Sequence, residues 1–473
     1  MIVLFICFTV SCTVAFGGGE GGGQSGNTGP TVRDEANWTV MFYSNADNNL
    51  ESYIMRDMAE IKSAVRNEGS INLVTLIDRA AKYSTDSSVF GEDFEGSRLY
   101  EFRESGILRL GGGDYFPDIE AATDAELDLG SIDTLKNFIL FAKHYYPARH
   151  TALVIEGHGS GIGDYPMYSE RAVSYDNTSE SYIPLRDFNL SLDAEESVEL
   201  IVFDACYQNY VEIAYQIAPV RQNEPATGFS AQWMVASPAE VIPEGFAYDR
   251  VLENYYAYTE SYPDSSPDGC VMGNFFLKAQ REYRDATYGI DTDDAVGKLM
   301  TYSLLDLTKV DAFKTELDGL SGLIANQRDE AITAVFGNIG QINITNSALD
   351  YYFSPGSKLN WVYYPGGDAR SLLRNLGDDE TFSSAHTRIE SCLTALDALV
   401  SDSFGSTNQY PSFVEGVSGL ALFFPKGNLL YFSNPVWSYQ TWYGPDFLAW
   451  CADGLARDSG TIGNWYDLLE SWW

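Results

Sequence analysis

One of only four histidines in the chain, His158, lies in the stretch VIEGHGSGIG (residues 154–163), where an apolar run gives way to glycines. Glycine permits backbone angles and close approaches that other residues forbid, so this spacing can hold an imidazole at a sharp turn and bring its amides close to another group. Further on, Cys206 follows the run ELIVFD (199–204) as Asp204-Ala205-Cys206. A thiol beside an imidazole is a nucleophile for acyl transfer, and the imidazole can then protonate the leaving group. The pattern from Tyr207 to Ile217 reads as a helix, so Cys206 is expected just ahead of a helix N-terminus, where amides and dipole favour the thiolate. Asp204 lies two residues before Cys206 on an extended segment and faces the same way, where its carboxylate could bind a cation. Singly, these residues have plainer uses, since glycine-flanked histidines make turns and buried cysteines act as small hydrophobes. Their joint placement points to chemistry.

That placement depends on the elements around them. Segments 38–44, 71–77, 151–157, 199–204 and 232–237 read as buried strands, and residues 97–103 read as part of a hairpin. Amphipathic stretches alternate with them, including one with Leu50, Ile54, Met58 and Ile61 at helical spacing and one over 131–146 capped by Ser131 or Asp133. The alternation predicts an α/β fold, a mostly parallel sheet with helices on both faces. Ligands of such sheets bind beyond the carboxyl ends of the strands. Asn45 and Asp47, His158, Asp204 and Cys206, and Ser237 all fall at such ends. If their strands are neighbours, His158 and Cys206 share one crevice.

Beyond about residue 300 the pattern is mainly helical, with helices read over 309–336 and 388–402 and a late strand within 416–425. The chain thus divides into a leader (1–16), a Gly-rich flexible linker (17–36), an α/β domain (37–300) and a C-terminal helical region (301–473) packed on it, onto which the final WYDLLESWW docks. The leader, which begins MIVLFICFTVSC, is apolar and uncharged. It reads as a signal peptide or a lipoprotein leader with Cys12 as the lipidation site, which makes the protein either a cell-envelope lipoprotein or a secreted one.

Lys plus Arg is 29 and Asp plus Glu 67, a net charge of −38, which argues against nucleic acid or an anionic membrane surface as partner. The six cysteines contain no C-x-x-C spacing, and no D-x-D-x-D-G series appears, so no metal ligands can be named and no cofactor is required.

The stretches WTVMFYSNADNNLE (38–51), LGSIDTLKNFILFAKHYYPARHTALVIEGHGSG (129–161), SYDN (174–177), VFDACYQNYVEIAYQI (202–217) and MVASPAEVIPEGFAYDRVL (234–252) resemble the clostripain family of cysteine endopeptidases, relatives of caspases, gingipains and legumains. The resemblance runs from about residue 37 to 430 and implies a caspase-like fold. By it, Cys206 is the nucleophile and His158 its partner in a dyad, with an acyl-enzyme intermediate. The N–H groups of Gly159 and Cys206 form the oxyanion hole, and Asp204 lies at the base of a pocket selecting Arg or Lys before the scissile bond. Tyr207 and Gln208 stand where the family commonly has Leu-Met, and Glu156 and Gly157 also depart from its usual residues. The resemblance further implies a calcium dependence and self-cleavage between the dyad residues, for which Arg171–Ala172 is the expected bond. The expected partners are protein or peptide substrates with Arg or Lys at the cleavage site. The alternatives are an envelope lipoprotein of the same fold that binds with little turnover, and another acyl transfer on the same dyad.

Overall fold

The computed structural model describes residues 29–66, 69–121, 125–162, 172–289, 297, 300–336, 366–405, 417–425, 427, 436–437, 443–452 and 461–473. The leader and Cys12 lie outside these residues, as does Arg171.

In chain order the first half contains β1 (Ala36–Ala46), α1 (Glu51–Ala64), β2 (Ile71–Arg79), β3 (Gly96–Arg103), β4 (Gly106–Leu110), α2 (Ile132–Tyr145) and β5 (Ala148–Glu156). A small ribbon of β6 (Ala172–Asp176) and β7 (Ser181–Pro184) follows, then α3 (Asp187–Leu190), β8 (Val198–Asp204) and α4 (Val211–Gln216). Next come the two-residue strands β9 (Val220–Arg221) and β10 (Glu224–Pro225), then β11 (Ala231–Ala236), α5 (Tyr248–Ser261) and α6 (Gly269–Thr287). The later part holds β12 (Tyr302–Asp306), α7 (Val310–Ile324), α8 (Arg328–Phe336), β13 (Gly366–Asp368), β14 (Val400–Phe404) and β15 (Ala421–Phe423). Three later helices span Ala369–Gly377, His386–Leu399 and Trp465–Trp472.

Nine strands form one sheet in the order β14-β12-β11-β8-β5-β1-β2-β3-β4. The five central strands, from β11 to β2, are parallel, and the antiparallel pairs lie at the two edges. Alternating residues of the central strands bury opposite sides of the sheet, as the period of two requires. Met41 and Tyr43 of β1, with Ile201 and Phe203 of β8, pack with residues of α2, α4 and α7. Val40 and Phe42, with Leu200 and Val202, pack with residues of α1, α5 and α6. This is the expected mostly parallel sheet covered on both faces, with the 97–103 segment indeed in a hairpin, β3–β4.

Three sequence expectations differ from the structure. The boundary drawn at 300/301 cuts across the sheet, because β12 and β14 from the C-terminal part extend its β11 edge antiparallel. The helix read over 309–336 is two helices with a break at residues 325–327. The helix read over 388–402 ends at Leu399, where Val400 turns extended and β14 begins. β14 is an edge strand and pairs with β12 only, so its hydrophobic pattern is weaker than that of the central strands. The C-terminal helix does dock, burying Trp465, Leu468, Leu469 and Trp472.

Candidate active site

β5 and β8 are parallel neighbours, and Glu156 is the register partner of Asp204. His158 and Cys206 each lie two residues further on, so the strands deliver them to the same edge of the sheet. The chain turns sharply after β5: Gly157 has φ +144° and Gly161 φ +58°, values that side-chain-bearing residues rarely adopt. A Cβ on Gly159 would lie 2.6 Å from the Cys206 carbonyl oxygen and 2.6 Å from Gln208 Nε2. Only glycine therefore lets the histidine turn sit against the cysteine segment. Ser160 N–H donates to Ala172 O (3.1 Å) and Ser174 N–H to His158 O (3.0 Å), closing a bridge between Gly159 and Val173 in which the Gly159 N–H takes no part.

The segment after Cys206 is not the expected helix. Tyr207 has φ +60°, in the left-handed region. Its N–H donates to Ala239 O (2.9 Å), and that of Asn209 donates to Ser237 O (2.9 Å). The helix starts only at Val211, so its dipole, which fades within about one turn, does not reach the thiol. Burial instead pushes the Cys206 thiol up to about 12, opposed by the Val241 N–H that donates to Sγ (3.3 Å) and reinforced by Glu240 and Asp204. Burial also holds His158 below the usual histidine range. The resting pair is therefore neutral thiol and neutral imidazole. His158 Nε2 lies 2.9 Å from Asn49 Oδ1, a contact in which the ring N–H donates, leaving Nδ1 as the basic nitrogen.

His158 and Cys206 line one cleft of about 480 Å³ with Asn49, Gly159, Tyr207 and Glu240. Asp57, Glu156 and Asp204 line the same cleft. One carboxylate oxygen from each of the three lies within 4.8 Å of the others. Asp204 Oδ2 accepts from Phe246 N–H (3.0 Å) and from Tyr248 Oη–H (2.9 Å), while Glu156 Oε2 accepts from Ser44 Oγ–H. Gly245 makes room for this group: with φ +63°, its Cβ would stand 2.6 Å from Asp204 Oδ2 and 3.1 Å from Asp57 Oδ2.

Asn45, Asp47 and Ser237 do not line the cleft. Asn45 Nδ2 donates to Ser174 Oγ (3.0 Å), Asp47 Oδ2 accepts from Thr178 N–H (2.5 Å), and Ser237 Oγ donates to Ala239 O (3.2 Å), so each braces a loop behind it. Ala172 is buried at the start of β6, its N–H donating to Ser160 Oγ (3.0 Å). Sequence reasoning missed Asn49, Asp57 and Gly245. Asp57 carries a weak signal, an acidic residue on α1 one place before Met58 of the apolar stripe; Asn49 sits in an ordinary-looking polar turn.

A second acidic group lies behind the site. Asp47, Asp78 and Asp176 are buried, with ligating oxygens within 4.8 Å of one another. Asp78 Oδ1 accepts from Ser97 Oγ–H (2.8 Å), while its Oδ2 is buried without a hydrogen-bond partner. Burial, with Glu126, Asp176 and Asp47 nearby, pushes Asp78 up to about 9 despite the Ser97 bond. The four cysteines among the described residues, Cys206, Cys270, Cys392 and Cys451, are all unpaired thiols.

A model of the clostripain family, peptidase C11, matches residues 42–472. Clostripain of Hathewaya histolytica is 30% identical over 471 residues, covering 92% of this chain and 86% of its own length. Among solved structures, an inactive zymogen C11 protease from Parabacteroides distasonis superposes with a TM-score of 0.55 at 17% identity, over 84% of this chain and 94% of that one. A secreted C11 cysteine protease from Bacteroides thetaiotaomicron, in complex with an irreversible peptide inhibitor, also gives a TM-score of 0.55, at 16% identity over 86% and 98% of the two chains.

Proposed function

The chain belongs to the clostripain family and is a cysteine peptidase, and within that activity we propose that it cleaves protein or peptide chains after Arg or Lys, using Cys206 and His158. The reading in which the protein only binds is not favoured. The observation that supports the specificity is Asp204 in the cleft that holds Cys206, buried and bonded by Phe246 and Tyr248 in a fixed orientation. A desolvated carboxylate left unpaired by a neutral side chain is costly, so a cationic side chain is selected.

In the proposed reaction the substrate's basic side chain enters beside Asp204, which sets the scissile carbonyl against Cys206. Its positive charge offsets Glu240 and Asp204, which add to the burial that holds the thiol up. His158 Nδ1 takes the thiol proton as Sγ attacks the carbonyl carbon. The N–H groups of Gly159 and Cys206 donate to the oxyanion that forms. The tetrahedral adduct collapses, the C–N bond breaks, and His158 returns its proton to the leaving amine. Water, deprotonated by His158, then adds to the thioester; the C–S bond breaks, the thiol regains its proton and the carboxylic acid product leaves. Asn49, bonded to Nε2, keeps the ring turned for both transfers.

Calcium fits the Asp47, Asp78 and Asp176 group. Hard oxygen donors are its preferred ligands, and the orphaned Asp78 Oδ2 lacks another partner. A bound ion would offset much of the charge of the three buried carboxylates and join the ends of β1 and β2 to β6, the strand bridged to the His158 turn. The apolar leader and the secreted character of the Bacteroides relative support export. Lipidation at Cys12 would make the protein an envelope lipoprotein, and its absence a secreted enzyme. Self-cleavage at Arg171–Ala172 requires the first residue of β6 to leave its bond with Ser160.

A panel of fluorogenic peptides differing only in the residue before the reporter tests the specificity. Arg and Lys substrates should exceed Ala, Leu, Asp and Asn by at least ~100-fold in kcat/KM, and Asp204→Asn should erase the difference. Best cleavage after Asp or Asn would overturn the pocket assignment while leaving the family untouched.

A further inference from the structure

Three carboxylates are more than one basic side chain needs. Asp57 (2% exposed, from α1), Glu156 (1%, from the end of β5) and Asp204 (7%, from the end of β8) come from three elements and meet in the cleft of Cys206. Their hydrogen bonds do not use up their oxygens: Asp57 Oδ1 and Glu156 Oε1 are both buried without a partner. A nearby cation, Arg56, has its side chain more than half exposed and its guanidinium 3.8 Å from Glu244. The other titratable groups facing the three are Glu60, Glu240, Tyr248, Tyr302, His158 and Cys206, none of which brings a permanent positive charge.

We propose that Asp57 and Glu156 are specificity-determining residues that, with Asp204, bind one cationic side chain and release a proton to solvent as it enters. The proposal rests on the reading of this cleft as a pocket for Arg or Lys. Three like charges this close in a desolvated site cannot all stay ionised, so the empty pocket stores its excess charge as carboxyl protons. Burial drives the shifts, pushing Glu156 up to about 8, Asp204 up to about 6, and Asp57 well above the carboxylate range. Asp204 is already ionised at neutral pH and answers the guanidinium's single charge. The bound cation then lowers the neighbouring Glu156 carboxyl, whose O–H breaks and passes its proton to water, so that a second carboxylate meets the fork while Asp57 keeps its proton. Nothing is oxidised or reduced. The two orphaned oxygens belong to different elements, which suits a planar fork with five donors better than a compact ammonium. Arg is therefore favoured over Lys.

Below about pH 6 the carboxyls are protonated and hold a cation poorly; between about 6 and 8 affinity rises as less work is needed to remove the proton. KM for Arg substrates should fall across this window, and the change belongs to binding rather than to the acyl transfer.

The experiment uses the full chain as Cys206→Ala, which cannot turn over, titrated with p-aminobenzamidine by fluorescence and by calorimetry in buffers of different ionisation enthalpy. The expected result is affinity that strengthens by up to ~10-fold per pH unit between pH 6 and 8, with between one half and one proton released per amidine at pH 7. Adding Glu156→Gln or Asp57→Asn should reduce the proton count and flatten the pH dependence, while amidine binding at pH 8 weakens without being lost because Asp204 remains. The proton count in the Cys206→Ala background decides the matter even if a second substitution fails to fold. Tight amidine binding without pH dependence or proton release would overturn the proposal and leave the basic pocket standing. No amidine binding at any pH would remove the pocket reading itself. Displacement of the amidine by millimolar Ca²⁺ would make the trio a metal site and overturn the proposal.

Discussion

Glu156 and Asp204 face each other in register across β5 and β8, each two residues before the group that would do the chemistry, His158 on one strand and Cys206 on the other. In a parallel pair equal offsets stay level, so one register sets Glu156 level with Asp204 and His158, two residues on, level with Cys206, the pair proposed to react. A slip of one residue would turn the side chains of one strand to the opposite face.

Replacing Cys206 by Ala removes the proposed nucleophile and should abolish peptidase activity with the melting temperature little changed, since the residue is only half-buried at the cleft edge. His158→Ala should lower kcat by roughly 10²–10⁴-fold, the usual worth of general acid–base help. Hydrolysis of an Arg substrate by Cys206→Ala at the wild-type rate would end the dyad assignment.

In the proposed reaction Asn49 acts through His158, to which it is bonded. Because burial lowers His158, the base stays neutral and active below the ordinary histidine pKa of about 6.5. Asn49→Asp places a negative charge on Nε2, raises the imidazole pKa and should move the acid limb of kcat upward by about one pH unit. Asn49→Ala should lower kcat about tenfold with KM nearly unchanged. An unshifted pH profile in Asn49→Asp would show that the contact does not orient the base.

Gly159→Ala puts a methyl 2.6 Å from a backbone carbonyl, an atom that cannot swing aside. The His158 turn must move away from Cys206, costing about 1–3 kcal/mol of stability. Activity should fall at least ~100-fold, more than the fraction unfolded at assay temperature explains. A fully active Gly159→Ala enzyme would mean that the turn does not need its close approach.

Calcium should raise the melting temperature of the Cys206→Ala protein, by an amount corresponding to about 2.7 kcal/mol at a hundredfold excess over its dissociation constant. Asp78→Asn should abolish the increment while leaving amidine binding intact, because Asp78 does not line the cleft. Equal melting temperatures in calcium and in chelator would remove the metal from this site.

Incubated wild type, but not Cys206→Ala, should yield two chains on a denaturing gel, the second beginning at Ala172. Since the Ala172 N–H is bonded to Ser160, cleavage should be slow and should accelerate as β6 is loosened by Ser160→Ala. An active enzyme that remains one chain would show that maturation by this cut is not required.

Much of this protein is legible from one sequence. The central strands carry near-continuous apolar runs because both faces are covered, so β1, β2, β5, β8 and β11 are readable to within a few residues. His158, Gly159, Asp204 and Cys206 stood out because glycines and polar groups interrupt those runs where the sheet ends. Which polar residues at strand ends face the cleft is another matter. Asn45, Asp47 and Ser237 looked equivalent to Asp204 in the sequence, yet their side chains turn into loops and bond there. Asp57 and Asn49 enter from α1 and the turn before it, about a hundred or more residues from their partners, through packing that no local pattern encodes. The state of the thiol was likewise decided in three dimensions: the left-handed turn at Tyr207 holds the helix away until Val211, and burial then raises Cys206 where a nearer helix would have lowered it. Periodicity records which face of an element is buried, whereas charge and direction inside a cleft depend on which distant elements close it.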